Sequence, residues 1–81
     1  MKITVRFFAL FKEISGRENF ELDFERAPRC GEVLEVLSQQ FPLPTGFEDH
    51  CLIAVNGRLA DRGAFLNAGD EFALLPPVSG G

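Results

Sequence analysis

Side chains able to do covalent or metal chemistry are scarce in this 81-residue sequence. There are two cysteines, Cys30 and Cys51, and one histidine, His50. A structural zinc site takes four Cys or His ligands, usually in closely spaced pairs. Three candidates cannot fill one, and Cys30 stands far upstream of the other two. An iron–sulfur cluster held by four thiolates fails on the same count. No metal site is expected. His50-Cys51 has the composition of a base–nucleophile dyad, but neighbours on one strand point to opposite faces and cannot meet. The expectation is a surface histidine at the start of a strand and two cysteines acting as small buried hydrophobes, kept reduced in a cytosolic chain.

The remaining reactive group is the carboxylate that ends Pro76-Pro77-Val78-Ser79-Gly80-Gly81. Two adjacent glycines contribute nothing to packing and cost ordering entropy, so their presence points to a use. Pro76-Pro77 stops the preceding strand and stiffens the tail in polyproline-like geometry. Six extended residues span about 20 Å. A stiff stalk with a slim tip suits insertion into a narrow active-site tunnel. A carboxylate is a poor acyl donor, so the Gly81 carboxylate would first have to be adenylated by a nucleotide-using enzyme.

Such a tail needs a domain to carry it. Eighty-one residues make one small domain, here 1–81 with 76–81 as an extended tail. The sequence is 46% hydrophobic and 25% charged, a balance that argues against both disorder and a membrane span. The N-terminal Met1-Lys2-Ile3-Thr4-Val5-Arg6 lacks the continuous apolar core of a signal peptide, so a cytoplasmic location is expected. The net charge of −4, with no basic stripe, makes nucleic acid a poor partner.

Periodicity supplies the elements. Lys2 to Phe8 alternates, with Ile3, Val5 and Phe7 on one side. Ala9 to Ile14 holds helix formers, ended by Ser15-Gly16. Asn19 to Glu25 alternates again, with Phe20, Leu22 and Phe24 inward and Glu21, Asp23 and Glu25 outward. Cys30, Val33, Leu34, Leu37 and Phe41 recur at helical spacing, and Pro42 ends that helix. Cys51 to Val55 and Arg58 to Ala60 flank Asn56-Gly57, a strong hairpin signal. Asp61 to Gly69 is irregular, with Leu66 pinned to the core, and Glu71 to Leu75 is the last strand. Two strands, one main helix and three more strands give an α+β layout, a mixed sheet with the helix on one face. The β-grasp fold has this order, with first and last strands adjacent at the centre. An OB-like barrel is the alternative, which a helix after two strands fits poorly.

On the face away from the helix, alternation places Phe8, Leu52, Ala54, Ala73 and Leu75, with Leu59 from the short strand. Together they would form one apolar patch beside the tail, the usual mark of a partner site. A bulge that shifts the phase would bury some of them instead.

The ending Leu74-Leu75-Pro76-Pro77-Val78-Ser79-Gly80-Gly81 resembles that of the MoaD family, the small sulfur-carrier subunits of molybdopterin synthase. Phe7-Phe8-Ala9, Ala54-Val55-Asn56, the Gly69-Asp70-Glu71 turn and the length are also similar to the family's. The resemblance implies a ubiquitin-like fold with no bound cofactor. It implies that an E1-like enzyme of MoeB type uses ATP to adenylate Gly81, and that sulfur then replaces AMP to give a thiocarboxylate. It implies insertion of Pro76, Pro77, Val78, Ser79 and Gly80 into a large subunit of MoaE type. There the sulfur passes to cyclic pyranopterin monophosphate in molybdenum cofactor biosynthesis. Such a chain has no catalysis alone and acts as one subunit of a sulfurtransferase. The positions matching the family's interface are Phe8, Leu59 and Leu75. The chain departs from the family pattern at Leu74 and Leu75, where aromatics are common, and at Arg29-Cys30, where a Thr cap often opens the helix. Sulfur carriers for thiamine or cysteine synthesis, and ubiquitin-like modifiers that join Gly-Gly to a lysine, share the fold and remain open.

Overall fold

In a computed structural model that describes residues 1–77, the chain runs β1 (Lys2–Phe7), α1 (Ala9–Ser15), β2 (Asn19–Asp23), α2 (Cys30–Gln40), a 3-10 turn (Phe47–Asp49), β3 (Leu52–Val55), β4 (Arg58–Ala60) and β5 (Glu71–Leu75). The strands form one sheet in the order β2-β1-β5-β3-β4. β1 and β5 pair in parallel at its centre, and every other neighbouring pair is antiparallel. This is the mixed sheet of an α+β ubiquitin-like β-grasp fold, not a closed barrel.

Alternation decides which side chains are buried. Ile3, Val5 and Phe7 of β1 and Phe72 and Leu74 of β5 lie inside, against Val33, Leu34 and Leu37 of α2. Phe7, Phe20 and Phe41 stack as a trio with ring centroids 5.1 to 5.4 Å apart. Leu66 is fully buried although its segment is irregular. Three strand ends fall short of the periodic pattern, β3 among them because it begins at Leu52 rather than Cys51. β1 stops at Phe7 because Phe8 caps α1, and β2 stops at Asp23, before Phe24 and Glu25.

Asn56 and Gly57 both take positive φ, 51° and 83°, as a tight hairpin between β3 and β4 requires. The Asn56 side chain also ties this hairpin to the start of β5. Its Nδ2 donates to Asp70 Oδ1 at 3.0 Å, and its Oδ1 accepts the Glu71 N–H at 2.9 Å. The separate sequence fragments Val55-Asn56 and Gly69-Asp70-Glu71 are therefore one structural unit.

The N-terminus of α2 has no Ser, Thr, Asp or Asn cap. Its free N–H groups are met by the 62–64 loop, Cys30 donating to the Ala64 carbonyl at 2.8 Å and Gly31 to that of Arg62 at 2.9 Å. Glu32 accepts the Arg29 N–H at 3.0 Å. Backbone from a distant loop replaces the usual capping side chain.

Ala9 has a φ of 48°, in the left-handed region that a non-glycine residue enters at a cost of about 1–2 kcal/mol. That conformation turns the chain from β1 into α1 directly after Phe8. Ala9→Gly relieves the strain but adds freedom to the unfolded chain, so it should raise stability by at most about 1 kcal/mol or leave it level. Ala9→Val should lower it by more than about 1 kcal/mol, because branching at Cβ worsens the same clash. Urea denaturation of the two variants checks both outcomes.

Candidate docking face and tail root

The candidate site lies on the sheet face away from α2. Across the antiparallel ladders, Leu59 stands opposite Ala54, Ala54 opposite Ala73, and Leu52 opposite Leu75. The parallel β1–β5 ladder continues the rows, with Arg6 beside Ala73 and Phe7 beside Leu74. Phe8 comes one step beyond that pair, and its N–H donates to the Leu74 carbonyl at 3.2 Å. Directly opposed residues share a face, so Phe8, Leu52, Ala54, Leu59, Ala73 and Leu75 fall on one side, with no bulge shifting the phase.

Exposure differs within the patch. Leu59 is 73% exposed, Phe8, Leu52, Ala54 and Leu75 are half-buried, and Ala73 is only 7% exposed. Ala73 is short and sits on an inner strand, so its neighbours cover it. The patch is therefore a low apolar floor with Leu59 standing out at its edge.

Two charged residues that the apolar pattern passed over also belong to this face. Arg6 and Glu71 form an ion pair at 3.5 Å, and the Arg6 guanidinium lies 5.0 Å from the Phe8 ring centre. A partly exposed pair of this kind adds little stability. What it does is hold the Arg6 charge at the edge of the apolar surface, against Phe8. The sequence signal was present, because Arg6 shares the phase of Phe8 and Glu71 that of Ala73.

The tail begins at the end of β5. Leu75 pairs with Leu52, and Pro76 and Pro77 continue the chain without strand structure, Pro76 half-buried and Pro77 exposed. Val78, Ser79, Gly80 and Gly81 lie outside the described residues.

His50 is exposed and caps the 3-10 turn, two residues before β3 rather than at its start. Cys30 is fully buried, but Cys51 is only half-buried, so it is not the sequestered side chain that its apolar surroundings indicated. The Cys51 Sγ donates to the Glu48 carbonyl at 3.7 Å. Both thiols are pushed above their ordinary range. Burial is the main cause for each. Asp61 adds to it at Cys30 while a backbone hydrogen bond opposes it. At Cys51 the Arg62 charge opposes burial, and Glu48 and Asp49 reinforce it. Neither is an activated thiolate. Among the described residues, no group of three or more His, Cys, Asp or Glu side chains could hold a metal ion, and no helix is long and apolar enough to cross a membrane.

With this geometry in place, likeness to known proteins identifies the chain. A model described as the ThiS family matches residues 5–81. The chain belongs to the ThiS family. It is a ubiquitin-like sulfur carrier of the ThiS/MoaD type. Small archaeal modifier protein 1 of Haloferax volcanii is 33% identical over 84 residues, spanning 94% of this chain and 97% of that protein. A crystal structure of that protein matches with a TM-score of 0.84 at 30% identity, covering 100% of both chains. The molybdopterin synthase sulfur carrier subunit of Mycobacterium tuberculosis is 31% identical over 87 residues, covering 100% of this chain and 99% of that one. A chain in the complex of subunits 1 and 2 of the molybdopterin-converting factor of Helicobacter pylori is 34% identical, covers 100% of both chains and has a TM-score of 0.71.

The raised thiols carry a consequence for this sulfur carrier. A folded-state thiol that ionises later than an unfolded one holds its proton longer. Its stabilising contribution is therefore complete below the unfolded value, about 8.5, and is lost as pH rises beyond it toward the folded value. The urea midpoint should fall between pH 8 and about 10, and the fall should be shallower in Cys30→Ala. An equal slope in both proteins would show that Cys30 does not titrate late.

Proposed function

We propose that this chain is the sulfur-carrier small subunit of a molybdopterin synthase. In this reading the Gly81 carboxylate is adenylated by an E1-like enzyme of MoeB type at the expense of ATP. Sulfur displaces AMP, leaving a thiocarboxylate on Gly81. The domain then docks on a large subunit of MoaE type through Phe8, Leu59 and Leu75. Pro76, Pro77, Val78, Ser79 and Gly80 carry the thiocarboxylate to cyclic pyranopterin monophosphate.

One observation carries the reading. The cross-strand register puts Leu59 and Leu75 on a single sheet face, and Phe8, bonded to Leu74, adjoins Leu75 where β5 gives way to Pro76-Pro77. A carrier that only presented its tail to enzymes in passing would not need an apolar face at the tail's root. A stable subunit does, because apolar burial is what holds two chains together. Relatives named as molybdopterin synthase sulfur carrier subunits support the same choice. So does the likeness to a chain of the complex between subunits 1 and 2 of a molybdopterin-converting factor.

The second reading is a protein modifier, favoured by the likeness to the small archaeal modifier proteins 1 and 3. The two differ in what the docking face must do. A charge placed on it should abolish a stable subunit complex, because a charge buried without a partner costs several kcal/mol or more. Leu59→Asp, at the most exposed position, should keep thermal stability within about 0.5 kcal/mol. Phe8→Asp and Leu75→Asp should remain folded by circular dichroism. All three should lose binding to the large subunit in calorimetry. Deleting Gly81 should leave both folding and docking intact yet abolish sulfur transfer. One residue moves the acyl carbon by about 3.3 Å, and about 1 Å can cost about 100-fold. Full affinity in Leu59→Asp and Leu75→Asp would remove the docking face from the account.

A further inference from the structure

The register sorts the sheet face away from α2 into rows. Leu75 and Leu52 pair in the row nearest the tail, with Phe8 adjoining Leu75. The next row reads Arg6, Ala73, Ala54 and Leu59 across four strands. One row farther from the tail, Thr4 stands beside Glu71, with Glu21 on its other side. Arg6 is therefore the one charge among the residues of the two apolar rows. Its ion-pair partner Glu71 belongs to the polar row behind them.

The hydrogen-bonding capacity of Arg6 is also mostly unspent. A guanidinium carries several N–H donors in a rigid fork. Among the described residues the Arg6 side chain makes a single hydrogen bond, from Nη1 to Glu71 Oε1, at the long distance of 3.5 Å. The side chain is 37% exposed, which leaves the other donors to solvent. Its Cζ lies 5.0 Å from the centre of the Phe8 ring, so whatever covers Phe8 covers the guanidinium too. A partner seated on Phe8 and Leu59 would strip water from those donors. N–H groups buried without acceptors are costly, and more so on a charged group.

We propose that the large-subunit partner sets a carboxylate against Arg6 when it docks. The inference rests on the subunit reading above and adds the chemistry that the partner must bring. The two oxygens of a carboxylate match the guanidinium fork, whereas Glu71 meets it through one long bond. A partner carboxylate also balances the charge inside the covered rows, because Glu71 stays at their rim. Arg6 thereby selects among partners. An apolar surface with no acid at this point leaves Arg6 buried and unmatched, and a cation there is repelled.

The test uses the full chain and the large subunit from its own organism, with affinity read by calorimetry. Arg6→Gln keeps a neutral donor but removes the charge. It should lower affinity by at least about tenfold, the loss expected of a hydrogen bond to a charged group. Arg6→Lys keeps the charge without the fork and should lose less, about threefold. Glu71→Gln removes the carboxylate that competes for Arg6, so it should leave affinity level or raise it by up to about fivefold. These opposite signs separate a partner contact from an ion pair that merely holds the sheet, since loss of a structural pair weakens docking from either side. Rising salt should weaken docking of the unmodified chain, and Arg6→Gln should flatten that dependence. The ion pair is partly exposed, so the variants should melt close to the unmodified chain. If Arg6→Gln fails to fold, Arg6→Lys and Glu71→Gln decide the matter. Affinity of Arg6→Gln within about twofold of the unmodified chain shows a neutral acceptor or none, and overturns the inference. Equal losses in Arg6→Gln and Glu71→Gln also overturn it. Both results leave the subunit reading in place. No binding of the unmodified chain to the large subunit defeats the subunit reading and this inference together.

Discussion

The parallel pairing of β1 with β5 is the constraint on which the rest of this molecule depends. It brings the two ends of the domain to the centre of one sheet, with Val5 beside Phe72 and Phe7 beside Leu74. Those side chains, with Ile3, are at most 1% exposed and form the floor on which α2 packs. The same register sets the opposite face, because successive residues of a strand alternate sides. Once Phe72 and Leu74 point to the helix, Ala73 and Leu75 must point to the opposite, candidate docking face, next to Arg6 and Phe8. A slip of β5 by one residue would exchange Phe72 and Leu74 for Glu71, Ala73 and Leu75 in the core. The fold, the exposed apolar face and the root of the tail are therefore consequences of one pairing.

Around that pairing, the polar contacts hold segments in place rather than perform chemistry. Asn56 and Asp70 join the β3–β4 hairpin to the start of β5, which fixes Leu59 relative to Leu75. The carbonyls of Arg62 and Ala64 cap α2, so the loop leaving β4 is held at both ends. In the function proposed above the reactive group lies on the tail, and the domain's part is to be rigid and correctly faced. Both thiols are held protonated by burial, and His50 stands exposed at a turn.

Much of this was legible in the sequence because it depends on local patterns. The alternation of Ile3, Val5 and Phe7, the helical spacing of Val33, Leu34 and Leu37, and the Asn56-Gly57 turn each report a period or a backbone preference. The exposed apolar face came from the same alternation, since Phe8, Leu59 and Leu75 are out of phase with the core. What stayed illegible depends on which distant segments meet. The missing cap at Arg29-Cys30 was visible, but not that a loop some thirty residues later would replace it. Arg6 and Glu71 are 65 residues apart, so their pairing needs the β1–β5 register. The left-handed turn at Ala9 has no glycine to announce it.

The most direct measurement is the mass of the full chain through one cycle of reaction. It would be incubated with an E1-like adenylating enzyme, ATP and a sulfur donor, and then with the large subunit and cyclic pyranopterin monophosphate. The account predicts a mass gain equal to one exchange of oxygen for sulfur, located on the peptide ending at Gly81. It predicts that this gain disappears as molybdopterin forms. A chain that gains no sulfur, or whose loaded form instead becomes joined to lysines of other proteins while no molybdopterin appears, would contradict it.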